Sequence, residues 1–293
     1  MNTKNIVIVV LILVIIGAVV VLFLNQDDTT VVNEPNLQEE PMPVEPDGGI
    51  GDGAEPLEVM EGEREESTQL GTSVSGQEIV AYHFGNGETE ILLVGGVHGG
   101  YSPNTTSLTE DAVSYFEANS TAVPENIMVT IIPALNPDGL EKLGTAGRFN
   151  ANNVDLNRNF DCEWSAEGVW QNQEVSGGSE AFSEPEAAAL RDYVEKYDPD
   201  YAIVWFSAEG KVYPSACAGA PSAESVELAE TFASAAGYPT EAEFDAYSIT
   251  GDMVNWMAKQ GIPAISVLLS DHESSEWTKN KAGIEAVINA YAE

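Results

Sequence analysis

The chain has 293 residues, 48 of them acidic and 11 basic, for a formal net charge of -37. A surface this negative repels phosphate backbones and anionic headgroups, which excludes nucleic acid as a partner. With the first 66 residues set apart, roughly 225 remain, enough for one α/β domain with a sizeable core.

In chain order, a short flank at residues 1–5 carries Lys4 and leads into Ile6–Leu24, an unbroken apolar run of 19 residues followed by Asn25, Asp27 and Asp28. At about 1.5 Å per residue the run matches a hydrocarbon core of roughly 30 Å. A cleaved signal peptide would have a shorter apolar core and a small-x-small site, and no such site precedes Asn25. The expectation is a single-pass membrane anchor at 6–24, with a cleaved signal as the alternative. Lys4 on the short flank puts the N-terminus inside and the rest of the chain outside the cell membrane. Residues 25–66 are rich in Glu, Asp, Pro and Gly, with Arg64 as the single basic residue. They read as an extended, self-repelling tether, and the folded domain is expected over 67–293.

From Ser67 the texture changes. Ile79–Phe84 and Glu90–Val97 read as strands, Leu108–Ala118 as a helix and Met128–Pro133 as a buried strand. Ser183 followed three residues later by Glu186, with Pro185 between, predicts a capping box opening a helix that runs to about Tyr197. Tyr201–Phe206 is a strand, Ser222–Ala236 and Thr250–Lys259 are helical, Ala264–Leu269 is a strand and Thr278–Tyr291 a closing helix. Alternating helices and apolar strands predict a mixed, mostly parallel sheet covered on both faces. Cys162 and Cys217 are either a disulfide, as is usual outside the membrane, or two free buried thiols.

Several segments together resemble the zinc carboxypeptidases. They are Leu70–Ile79, Gly95-Gly-Val-His-Gly-Gly100, Asn136-Pro-Asp-Gly139, Val154-Asp-Leu-Asn-Arg-Asn-Phe160, Phe182–Glu186, Tyr213-Pro214, the stretch from Tyr247 to Trp256, and Gly261-Ile-Pro-Ala264. The resemblance implies an α/β fold with a central eight-stranded mixed sheet, helices on both faces, and a site at strand ends. It also implies a chemistry: a zinc ion on two histidines and a glutamate, a second glutamate as general base, an arginine for the oxyanion, and an Asn-Arg pair for the substrate's terminal carboxylate.

Residue by residue, that machinery is split. His98 matches the first ligand, but Tyr101 or Ser102 stands where the glutamate ligand belongs. Phe206 stands at the second histidine and Leu268 at the general base. The substrate-holding positions are filled. Arg148 matches the oxyanion arginine, Asn157 and Arg158 the carboxylate clamp, and Tyr247 the tyrosine that closes over substrate. Val254 lies where side-chain preference is set and implies an apolar pocket. A single neutral imidazole cannot supply a tetrahedral zinc site, so no cofactor is expected and His98 reads as a satisfied structural histidine. A rearranged site recruiting His272 with Asp271 or Glu273, or Glu209 as a substitute carboxylate, is the lesser alternative. The chain is therefore expected to be a catalytically inactive, membrane-anchored module that binds peptides through a free C-terminal carboxylate. The alternatives are a residual zinc-dependent metallocarboxypeptidase and a structural envelope protein that uses only its surface.

Overall fold

A computed structural model describes residues 64–292. The expected anchor at 6–24 and the tether up to residue 63 lie outside the described residues. Among the described residues no helix is long and apolar enough to cross a membrane.

The strands are β1 (Ser67–Thr72), β2 (Glu78–Gly85), β3 (Thr89–Val94), β4 (Ile127–Ile132), β5 (Glu167–Trp170), β6 (Gln173–Ser176), β7 (Tyr201–Ser207), β8 (Lys211–Pro214) and β9 (Ala264–Leu269). The helices are α1 (Pro103–Ala118), α2 (Pro137–Leu140), α3 (Pro185–Tyr197), α4 (Ala223–Ala236), α5 (Met253–Gln260) and α6 (Trp277–Ala290). Seven strands form one sheet in the order β1-β2-β4-β3-β7-β9-β8, and β5 and β6 pair only with each other.

Alternation along the central strands explains the layers. Leu92, Val94, Ala202 and Val204 turn to one face, where Leu190, Val194, Met253 and Trp256 of α3 and α5 cover them. Ile91, Leu93, Ile203 and Trp205 turn to the other, against Phe116 of α1, Phe232 of α4 and Val287 of α6. Strands buried on both faces need no polar alternation, which is why they read as continuous apolar runs.

Several expectations are corrected here. The sheet among the described residues has seven strands, not eight. Next to β8 the chain makes only an isolated bridge, Val212 to Thr240, because Pro239 offers a carbonyl to Val212 but has no N–H to extend the ladder. The pairing is also less parallel than expected: β3-β4, β3-β7 and β7-β9 are parallel, but β1-β2, β2-β4 and β8-β9 are antiparallel. Helix α3 has no capping box. Its N-cap is Glu184, with no side-chain cap, and the Ser183 hydroxyl instead meets Glu184 and the Asn159 amide. The domain begins before Ser67. Arg64 forms a forked ion pair with Glu90, at 2.6 and 2.5 Å, and lies over the Tyr197 ring at 3.9 Å. The end of the tether is thus docked on the domain, because Glu90 is a buried carboxylate that needs a cation.

Cys162 and Cys217 form a disulfide, with Cα atoms 5.7 Å apart and a sequence separation of 55. It ties the loop before β5 to the loop after β8. Closing a loop of that length contributes about 2–4 kcal/mol, chiefly by restricting the unfolded chain.

Candidate functional site

The C-terminal ends of β3, β7 and β9 meet below a cleft. Strand β3 runs into Gly95-Gly96 and delivers His98 at its floor. Gly99, at φ +34°, lets this loop pass against the α2 turn: a Cβ there would sit 2.5 Å from the Gly139 carbonyl carbon. That turn is itself fixed by Asn136, whose side chain accepts a hydrogen bond from Gly139 N at 2.9 Å. Phe206 and Leu268 are paired neighbours in the parallel β7-β9 ladder and close the cleft from beside His98, with the Phe206 and His98 rings 5.4 Å apart.

At the centre is Asp155, fully buried. It accepts from its own turn at Asn157 N (3.1 Å), from His98 Nε2 (3.3 Å) and from Arg148 Nε and Nη2 (2.9 and 2.7 Å). Arg148 Nη1 also lies 3.3 Å from His98 Nδ1. A carboxylate only accepts and a guanidinium only donates. The imidazole is therefore neutral, with its proton on Nε2 and its lone pair on Nδ1 facing the arginine. Burial pushes the Asp155 carboxyl up, but Arg148 and then His98 outweigh it and hold the group well below the usual carboxylate range. Burial, reinforced by Arg148, lowers His98 from 6.5 to about 4. His83, buried beside the Arg64 and Glu90 pair, is lowered by burial and by Arg64 to about 4 as well.

These two histidines give a pH prediction. Their folded values lie below the unfolded value, so the unfolded chain takes up the proton first. Stability is full above about pH 6.5 and is lost on the order of 3 kcal/mol per ring as pH falls toward about 4. Asp252 and Glu186, both raised by burial, work the other way. The clean measurement is therefore residue-specific: NMR ring shifts of His83 and His98 should show half-protonation near pH 4. Either ring titrating near 6.5 would contradict the buried network.

The geometry decides whether the zinc of the resembled family fits. Both nitrogens of His98 and both oxygens of Asp155 are committed to each other, to Arg148 and to the Asn157 backbone. Phe206 and Leu268 offer no donor atom. Tyr101 lies between His98 and His272, with ring centroids 6.5 and 4.5 Å from them, and Ser102 Oγ is turned to His272 Nδ1 at 3.4 Å. No group of three or more His, Cys, Asp or Glu side chains among the described residues could hold a metal ion. These residues do not fit zinc, and the Arg148 guanidinium supplies the positive charge beside His98.

Three of the substrate-holding expectations change. Arg148 has its charge answered by the buried Asp155 carboxylate, turns a further N–H to His98 and stacks 4.6 Å over Trp170, so it is a neutralised guanidinium and a weaker oxyanion partner than the family's role requires. Asn157 is also committed: its Nδ2 donates to Asp252 at 2.7 Å and its Oδ1 accepts from Met253 N at 3.1 Å. Val254 does not line the cleft. It is 1% exposed and packed in the core, because the helix that Asp252 caps turns Asp252 and Asn255 to the cleft instead. The pocket wall there is polar, not apolar.

Arg158 differs from the others. It is 1% exposed, and Gly251, at φ +62°, packs against its backbone so closely that a Cβ would be 2.1 Å from its carbonyl oxygen. Its side chain donates only to carbonyls: Nη1 to Asn157 O at 2.6 Å, and Nε and Nη2 to Val169 O at 3.2 and 2.8 Å. No carboxylate pairs with it among the described residues. One N–H on each Nη is left over from its five donors, and the side chain lines a cavity of about 630 Å³ shared with His98, Arg148, Tyr247 and Asp252. The Tyr247 ring lies 5.9 Å from its guanidinium. Sequence reasoning passed over Asp155, Trp170 and Asp252. Asp155 had a signal, as a member of the Val154–Phe160 segment that supplies Asn157 and Arg158; Asp252 had one too, as an N-cap three residues before Asn255.

The geometry can be set beside known proteins. A stretch of 132 residues is 33% identical to bacteriocin BCN5 of Clostridium perfringens, covering 43% of this chain but only 14% of that protein. A stretch of 198 residues is 27% identical to murein peptide amidase A of Escherichia coli K12, covering 63% of this chain and 74% of the amidase. The fold matches the crystal structure of carboxypeptidase A from Helicoverpa armigera with a TM-score of 0.64 at 18% identity, over 78% of this chain and 69% of that one. The sequence profile of the family described as zinc carboxypeptidase matches residues 57–291. The chain belongs to the zinc carboxypeptidase family.

Proposed function

We propose that this protein binds peptides by their free C-terminal carboxylate and does not hydrolyse them. The observation that carries the reading is Arg158. A buried guanidinium is costly unless an anion answers it, and this one meets only carbonyl oxygens and faces a cavity. A carboxylate suits the two free N–H groups, which can donate to its two oxygens side by side. Asn157 supports Asp252 in place of touching the ligand, and Tyr247 covers the mouth. The lack of turnover rests on Phe206, Leu268 and Tyr101, none of which can hold a metal or activate water at neutral pH. The reading also includes a site of action. The apolar run at 6–24 anchors the protein in the cell membrane with the domain outside, a compartment in which a disulfide persists.

The test is calorimetric titration with one peptide in two forms, free acid and C-terminal amide. The acid is expected to bind at least about 30-fold more tightly, without zinc and without cleavage. Equal binding of the two forms, or release of the terminal residue, would overturn the reading.

A further inference from the structure

Beside the carboxylate cavity lies a second chamber of about 450 Å³. The two share Trp170, Ser207, Phe244, Tyr247 and Leu268 in their walls, so a chain held by its terminus at Arg158 has a continuous way into it. The chamber is built from rings that hold one another in place. Tyr101 meets Trp170 edge to face at 5.1 Å and 81°, and meets His272 at 4.5 Å. Phe244 meets Tyr247 at 4.8 Å and 76°. Trp170 is carried by the β5-β6 hairpin, whose tip, Gln171 and Asn172, also borders the chamber. Leu268 is apolar, and the one carboxylate at the edge is Glu209.

We propose that this chamber selects the side chain next to the bound C-terminal residue, and that it favours an aromatic one. This rests on the carboxylate-binding reading above and adds to it. Five pre-positioned rings, His272 among them, offer edges and faces to a sixth, an arrangement stronger than area burial alone. Space is ample, since a cavity of about 150 Å³ already accommodates benzene. An acidic side chain is disfavoured by Glu209 and by the absence, among the described residues, of any free Lys or Arg in the chamber wall, where Arg148 stacks behind Trp170 and is paired with Asp155. Tyr101 and Leu268 occupy what the resemblance marks as a lost ligand and a lost base. The surface that lost its chemistry has become a wall for an apolar side chain.

The experiment uses the full 293-residue chain in mild detergent and calorimetry with three peptides that differ only in the penultimate residue: Phe, Ala or Glu. Each is prepared as free acid and as amide. The Phe acid is expected to bind about tenfold more tightly than the Ala acid, with the Glu acid weakest. Two variants remove the chamber in different ways. Tyr101→Ala deletes a wall, and Ala246→Trp fills the space from an exposed loop position. Each should bring the Phe and Ala acids within about twofold of each other while the acid still outbinds the amide. Equal binding of Phe and Ala acids in the unaltered chain overturns the proposal, as does a preference that survives both variants. Equal binding of acid and amide overturns the carboxylate reading instead.

Discussion

Arg148→Ala is expected to destabilise the domain by about 3–5 kcal/mol, the cost of stranding a buried charge. Asp155 is fully buried, and its only guanidinium contacts come from Arg148. Without them its carboxylate retains a neutral imidazole and one backbone N–H, too little to offset desolvation at neutral pH. The same change leaves the His98 Nδ1 lone pair without a donor. Urea denaturation of the unaltered and variant chains measures the effect. A double-mutant cycle with Asp155→Asn identifies its cause: removing the charge from both partners should cost less than the two single changes added together. Strict additivity would mean that the pair is not coupled and that Arg148 stabilises the domain through its stacking on Trp170.

Arg158→Gln should act on binding and spare the fold. The variant loses hydrogen bonds to two carbonyls, but it also removes a buried charge that has no carboxylate partner, and these effects offset. Affinity for a peptide acid is expected to fall on the order of 100-fold, as for a charge-assisted pair, and affinity for the matching amide should stay where it was. Arg158→Lys keeps the charge but loses the planar fork, so it should fall between the two. Full binding by Arg158→Gln would move the carboxylate elsewhere in the cleft and sink the central reading.

The elements were legible in the sequence where one force dominates. Ile91–Val94 and Ile127–Ile132 are apolar because both faces of the sheet are covered. The helix from Ser222 was legible because an N-cap is a local matter, settled within four residues. Legibility failed where two local solutions compete. Ser183 has the spacing of a capping box, but Asn159, distant in sequence, takes its hydroxyl. Val254 was placed on the cleft by sequence position, and a helix of eight residues turned it into the core. The site was legible as a set of residues but not as a network. Motif matching named Arg148, Asn157 and His98 one at a time, and nothing in the linear order reveals that Asp155 and Asp252 occupy their polar atoms.

The docking of Arg64 bears on how the domain responds to force. Glu90 lies near the start of β3, and the cleft opens beyond the end of that strand at His98. The strand is six residues long, so roughly 20 Å of close-packed sheet separates the two. Tension drawn through the chain before residue 64 reaches the domain at the Arg64 and Glu90 pair, and would peel β1 from β2 before it disturbed the floor of the cleft. The cleft therefore sits at the unloaded end, where a pull on the N-terminal side is expected to leave its shape unchanged.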